Sequence, residues 1–331
     1  MKRAPISHLL AAVLLWAVHT TLHAQGCSDA GVCTAGPMGQ IPTVVDTTTT
    51  RPSRHYAKLQ MGVALGEQFV LIVQTQADFG LGITDRLSFR LTVPYIVATG
   101  NLGSNHGVGD MIPAFSYQLI QQQRRDLSAF VGLRLPTGKS AQEDIEKATF
   151  GPTSHPLPMP YQTGLSSFDL LMGMQFRHER WTLALAYQHI LSQDNQNRFM
   201  HEFWQDEPAA LEYWEAFALE RADDAVARLQ RTFISGNYAL QPGLLAIYHM
   251  DEDSRLERVN EPNYFGEFEL ERRDIDGTRG LTVNVTFDAR RDLSERWALE
   301  GGLAAPVHAR KVRPDGLTRN AILQLGLRYL F

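Results

Sequence analysis

Residues able to handle charge or protons recur in a two-residue rhythm through much of this 331-residue chain. The candidates are Lys58, Gln76, Asp78, Arg90, Asp110, Arg134, Asp169, Gln175, Arg177, Gln188, Asp288, Glu300 and Arg328, with Gln74 and Gln118 in the same phase. Acids and bases are mixed, so no single-sign field is expected to select one class of ion. Such a set suits either a polar channel wall or a bank of salt bridges that stiffens and fills an interior. Catalysis finds less to work with. A hydrolase built into a membrane wall needs a serine beside a histidine on the lipid face. His189 is the one strand histidine in outward phase, and no outward serine lies opposite it. His249-Met250-Asp251 and Met200-His201-Glu202 could supply metal ligands, but neither repeats a recognised spacing. Gly107-Val108-Gly109-Asp110 precedes a strand rather than following one, the wrong order for a phosphate loop. The expectation is no catalytic residue, no metal and no cofactor.

The elements that carry these residues read as strands. Leu87, Phe89, Leu91, Val93 and Tyr95 oppose Ser88, Arg90 and Thr92. Phe168, Leu170, Met172, Met174 and Phe176 oppose Asp169, Gly173, Gln175 and Arg177, and Leu281, Val283, Val285 and Phe287 oppose Thr282, Asn284, Thr286 and Asp288. Period-two alternation marks a sheet with two unlike faces. The segments are about ten residues long, enough for a tilted strand to cross a bilayer. Strands are expected over 55–65, 67–82, 84–97, 107–121, 125–137, 164–178, 180–194, 222–236, 239–251, 277–290, 294–308 and 318–331. Their connections sort by parity. Those near 83, 123, 179, 237 and 292 are short, whereas 98–106, 138–163, 195–221, 252–276 and 309–317 are long; on that outer side the first hairpin, near Gly66, is the short exception. Short periplasmic turns with long outer loops are the asymmetry of an outer-membrane barrel. The fold class is therefore all-β: a closed antiparallel transmembrane β-barrel of about twelve strands, expected as a monomer in the bacterial outer membrane. A soluble sandwich would explain the alternation but not the sorting of loops.

The last strand adds a second sign. Ala321, Leu323, Leu325, Leu327, Tyr329 and Phe331 share one face, and the pattern of Leu325, Leu327, Tyr329 and Phe331 resembles the insertion signal of such barrels. Barrel-assembly machinery is then an expected partner, and outer-membrane lipid and lipopolysaccharide the expected surroundings. At the other end, Lys2, Arg3, the apolar run Leu9 to Val18 and Leu22-His23-Ala24 read as a signal peptide over 1–24. That run is too short for a spanning helix of about 20 residues. An uncleaved anchor, or a lipoprotein acylated at Cys27, is the less favoured reading, because Ala24-Gln25-Gly26 lacks the usual leucine. Residues 25–54, rich in Gly, Pro and Thr, read as a periplasmic arm, and Cys27 with Cys33 as a small disulfide loop in an oxidising compartment. The net charge of -5 argues against nucleic acid as a partner.

Twelve strands lie between the filled interior of eight and the open water of sixteen or more. Small inward residues, among them Gly62, Ala114, Gly132, Gly173, Ala184, Ala186, Gly302 and Gly326, tip the reading toward a narrow or side-chain-gated pore. Over its mouth, the acidic and aromatic 195–221 loop is expected to fold as a short helix starting at Asp206 or Glu207, with Leu211, Trp214 and Ala218 on one face. In the 252–276 loop, Phe268 and Leu270 suggest strands continuing outside the membrane. Tyr95, Phe176, Trp181, Tyr187, Trp297 and Tyr329 fall near strand ends, where aromatic girdles belong.

Gly107-Val108-Gly109-Asp110, Tyr117-Gln118-Leu119 and Leu133-Arg134-Leu135-Pro136-Thr137-Gly138-Lys139 resemble a barrel family named for the MetA pathway of phenol degradation, as does Ile83-Thr84-Asp85-Arg86-Leu87 through Tyr95. The likeness covers about residues 80–180. It implies a transporter-like barrel and a small-molecule cargo, aromatic or hydrophobic, and carries over no catalytic residue. The function expected is a channel; the alternatives are a closed barrel that uses its acidic outer loops for contact, and a membrane-embedded hydrolase.

Overall fold

The computed structural model describes residues 24–25, 55–122, 124–148, 151–204, 207–259 and 269–331. The expected signal segment, the arm, Cys27 and Cys33 lie outside the described residues, except that Ala24–Gln25 pairs with Thr318–Arg319. The wall consists of β1 (Tyr56–Leu65), β2 (Leu71–Gly82), β3 (Leu87–Gly100), β4 (Ile112–Gln121), β5 (Arg125–Arg134) and β6 (Ser167–His178). It continues through β7 (Trp181–Gln193), β8 (Asp224–Arg231), β9 (Tyr238–His249), β10 (Gly280–Asp292), β11 (Trp297–His308) and β12 (Ala321–Leu330). Each strand pairs antiparallel with its neighbours in sequence, and β12 pairs with β1 from Leu65↔Ala321 to Tyr56↔Leu330, which closes the ring. Closure satisfies every ladder without an edge, the condition for crossing lipid.

The sequence periodicity becomes two environments. Outward, Leu59, Met61, Phe79, Phe115, Val131, Met174, Leu185, Leu244, Phe287, Leu303 and Leu325 are exposed, an apolar belt of the kind that only lipid covers. Girdles bound it: Trp297 packs on Tyr329 at 4.7 Å between ring centroids, and Arg231 lies over Trp181 at 5.3 Å. The fold is that of an outer-membrane barrel. Leu325, near the middle of β12 and 54 % exposed, gives a direct check. Leu325→Arg is expected to destabilise the barrel by about 2–4 kcal/mol, the cost of a cation at the bilayer midplane, read as a lowered urea midpoint in lipid vesicles.

Periplasmic turns are tight because their side chains replace missing ladder bonds. Thr84 Oγ1 accepts from Leu87 N at 2.9 Å, and Ser294 Oγ accepts from Trp297 N at 3.1 Å. Several strand expectations need correction. β2 begins at Leu71, not 67, because Glu67–Phe69 forms a 3₁₀ turn, and β12 begins at Ala321, not 318, because Thr318–Arg319 pairs with Ala24–Gln25 instead. β4 begins at Ile112, not 107: Gly103–Val108 folds back on the end of β3, and Gly109 N donates to Pro94 O at 2.9 Å. The 222–236 segment breaks at Thr232, whose N donates to Arg180 O while its hydroxyl accepts from Gln241 at 2.8 Å; pairing resumes at Phe233–Ser235. Outside the membrane, Glu143–Ala148 pairs with Gly151–Pro156, and Ser254–Arg258 with Leu270–Asp274 as expected; Phe268 lies outside the described residues.

Candidate functional site: the lumen and its plug

Turned inward, the charges form a contiguous belt in the half of the wall nearer the periplasm. Asp78 receives Lys58 at 3.1 Å and Arg90 at 3.0 Å. Glu300 is shared by Lys58 at 3.7 Å, Arg328 at 3.1 Å and Arg290 at 3.3 Å. Arg290 also meets Asp292 at 2.7 Å, and Arg228 meets Asp288 at 2.6 Å. Gln76 donates to Asp78 at 3.0 Å. Arg177 pairs with Asp126, to which Gln118 also donates, and Gln175 faces inward opposite Ser128 and Ala184. The remaining pair stands nearer the outer mouth: Arg134 meets Asp169 at 3.4 Å, and Gln188 donates to the same carboxylate at 2.6 Å.

Asp110 does a different job. Its two oxygens accept from Gly138 N and Leu165 N, each at 3.0 Å, while Thr137 Oγ1 donates to Gly109 O at 2.7 Å. At this knot a Cβ on Gly138 would stand 2.6 Å from the Gly164 Cα, so the backbones approach as only glycine allows. The Gly-Val-Gly-Asp and Pro-Thr-Gly motifs of the sequence are thus one structural clasp.

Next to the belt lies an apolar shelf made by β4 to β9: Ile112, Ala114, Phe130, Leu171, Ala184, Val226, Leu245 and Ile247. Asp78 and Asp169 are 0 % exposed and Gln188 and Gln241 1 %, so these positions are packed rather than lining open water.

The outer mouth is closed by loops. Residues 309–320, between β11 and β12, turn inward: Arg310, Arg313, Asp315, Leu317 and Arg319 are all buried. Charge fastens this plug. Arg310 pairs with Asp315 and reaches Asp253 at 3.6 Å; Asp315 also meets Arg221 at 3.7 Å; Arg313 meets Glu67 at 3.6 Å. Burial pushes the Asp315 carboxyl up, but Arg310 and Arg221 outweigh it and hold it at about 2. Behind them, His249 carries a carboxylate on each ring nitrogen, Asp224 and Asp253, both at 2.8 Å. Beneath the plug is a cavity of about 70 Å³ bordered by Gln76, Thr92, Pro94, Asp110, Arg134, Met159, Asp315 and Leu317. Gly316 has φ +66°, and a Cβ there would lie 2.4 Å from the Met159 carbonyl carbon. Gly316→Val is therefore expected to push the plug off the 155–165 segment and raise liposome permeability, with the barrel still shifting its gel migration on heating.

The 195–221 loop covers the plug's flank. Among the described residues of the loop, short 3₁₀ turns at His201–Trp204 and Pro208–Glu212 stand in place of the single helix expected, the second capped by Glu207. Asp206 lies outside the described residues. The face is also different: Ala210 and Tyr213 are buried with Phe199, Trp204 and Tyr161, while Leu211 and Trp214 are exposed. A turn of five residues cannot extend helical spacing to Ala218, so contacts with Tyr161 decide the face instead. Tyr213 Oη donates to Asn101 at 2.6 Å, which fixes the loop to the end of β3. These aromatics pack among themselves. His189 faces outward as expected, with Asp223 at 2.8 Å, and its cross-strand neighbour on β6 is Leu170 rather than a hydroxyl.

The sequence reading missed Arg228, Arg290 and the whole plug latch. With the first two and their partners Asp288 and Asp292 included, acids and bases along the lumen are still mixed. Phase alone could have found Arg228, which sits two residues from Val226 and Gln230 on the inward face.

No family model matches the chain, and neither does any curated protein. Solved structures do. An outer membrane channel from Pseudomonas putida F1 is 16 % identical, with a TM-score of 0.56, over 88 % of this chain and 100 % of that one. The NanC porin is 5 % identical, with a TM-score of 0.44, over 83 % of this chain and 100 % of its own. At such identity the likeness to the first is one of fold. This chain is an outer-membrane β-barrel by fold.

Proposed function

We propose that the barrel is a plugged outer-membrane channel for small molecules, opened by movement of residues 309–320, and that it is not an enzyme. The observation that carries the reading is how the plug is held. Side-chain contacts to Glu67, Arg221 and Asp253 hold it, with single backbone bonds at Val312 and Asn320 and the two-residue pairing of Thr318–Arg319 with Ala24–Gln25, so few bonds must break for it to leave while the twelve-strand ladder stays closed. The resemblance to the MetA-pathway family and the channel fold of the Pseudomonas putida protein support the same reading. Among the described residues, the cross-strand neighbour of His189 on β6 is Leu170 and its ion-pair partner is Asp223, an arrangement that gives no support to a serine hydrolase. The closed, surface-contacting barrel remains the second reading because the lumen is packed with ion pairs; lipopolysaccharide is then the natural contact for the outer loops.

The test is conductance and liposome swelling by the refolded mature protein, alongside a variant whose residues 311–318 are replaced by a glycine-serine linker. The channel reading expects rare openings in the first and steady leak in the second. If both fold, shift on heating and stay tight, the closed barrel is the better account.

A further inference from the structure

The periplasmic rim carries cations that the lumen does not use. Arg231 ends β8 on the lipid face, paired in register with Trp181, as Leu229 is with Leu183. Its guanidinium lies over two rings, 5.3 Å from the centre of Trp181 and 5.2 Å from that of Phe233. Two strands on, Arg291 stands near the end of β10 on the same face, paired with Tyr238 and 5.2 Å over its ring. Arg296, in the turn before β11, reaches the Tyr329 hydroxyl at 3.5 Å. All three arginines are exposed, and among the described residues none has an ion-pair partner. Of the acids in these turns, Asp292 is taken by Arg290 and Glu179 by Arg124, which leaves Glu295 against the three cations. We infer that this arginine collar binds the phosphate of anionic phospholipids in the periplasmic leaflet of the outer membrane.

Position and chemistry select this occupant. The short turns put the collar on the periplasmic side, the phospholipid leaflet, with lipopolysaccharide on the other. A guanidinium over an aromatic ring spends no N–H on it, and the free N–H edge matches two oxygens of a phosphate. Girdle rings sit at headgroup depth, so each arginine meets the phosphate without leaving its ring. A zwitterionic lipid offers the same phosphate but brings its own ammonium, which returns the charge. An anionic headgroup does not. The inference rests on which side of the membrane the short turns occupy, and not on the channel reading.

The experiment is native mass spectrometry of the refolded mature protein in neutral detergent, offered equal amounts of phosphatidylglycerol and phosphatidylcholine of the same chain length. Each arginine near an anionic headgroup is worth about fivefold, so Arg231 and Arg291 together should favour phosphatidylglycerol by about twentyfold or more. Arg231→Gln combined with Arg291→Gln should remove nearly all of that preference, and the corresponding double lysine variant should keep most of it. Arg279→Gln, near the outer ends of the strands where the guanidinium meets the Tyr248 hydroxyl at 3.2 Å, should leave the preference unchanged. Should the double glutamine variant fail to refold, each single variant reads its own fivefold. Equal retention of the two lipids by the wild type, or a preference that survives the glutamine variants, overturns the inference. So does a preference lost equally in Arg279→Gln, which would make it diffuse charge rather than the collar. Retention of lipopolysaccharide that falls with the same two glutamines while phosphatidylglycerol does not would place the collar in the other leaflet and overturn it as well.

Discussion

Asp315→Ala is expected to open the barrel. The carboxylate is 1 % exposed, is paired with Arg310 and meets Arg221, and accepts from Leu317 N at 3.1 Å, so one group holds both the charge and the backbone of the plug. Its removal leaves two buried guanidiniums to share Asp224 and Asp253, which already serve His249. Breaking a buried pair from one side costs about 3–5 kcal/mol. Swinging the plug outward lets water take over, so the loss shows as opening rather than unfolding. At about 1.4 kcal/mol per factor of ten, the open fraction should rise by two or more powers of ten. Single-channel recording reads this as a change from brief openings to near-continuous conductance. Asp315→Asn keeps the shape and the bond to Leu317 but not the charge, and should fall between the two. An alanine variant that inserts normally and conducts no more than wild type would show that the plug is not the gate.

What the sequence made legible, and what it hid, follow from the range of the interactions involved. Alternation such as Leu87 to Tyr95 reports a strand because neighbouring residues two apart share a face, and the face is set by lipid on one side. Inward polar residues on those strands were visible for the same reason. Arg228 was in phase but lay in a segment whose alternation is broken further on, and Arg290 was harder. Thr232 interrupts the rhythm of β8, and Arg290 stands beside Arg291, so a charged pair gives no phase by itself. The plug was out of reach. Residues 309–320 look like a polar outer loop, and their burial depends on Glu67, Arg221 and Asp253, which lie far away in the chain. The 195–221 loop shows the same limit. Its helical spacing pointed to Leu211 and Trp214, while Tyr161 and Phe199 selected Tyr213.

Closure of the plug should also follow pH, through Glu67. This side chain, 7 % exposed in the turn between β1 and β2, meets Arg313 at 3.6 Å. Burial pushes its carboxyl from an ordinary 4.5 up to about 7, in spite of the downward pull of Arg313, Trp214 and Arg319, and Asp315 adds to the rise. With the plug out, water reaches Glu67 and the ordinary value returns. The closed state thus holds the proton more tightly than the open one. Protonation favours closure: the benefit is full below about pH 4.5 and is lost as pH rises through about 7. The shift bounds the effect at about 3 kcal/mol, since each unit is worth about 1.4 kcal/mol. Open probability should therefore climb between pH 5 and pH 8 by up to about a hundredfold. Glu67→Gln mimics the protonated form and should stay closed across that window, with its slope flattened. The glutamine variant leaves the Asp224–His249–Asp253 latch intact, so it isolates the contribution of Glu67. Opening on acidification, or a slope that survives Glu67→Gln, would assign the pH response to the histidine latch instead.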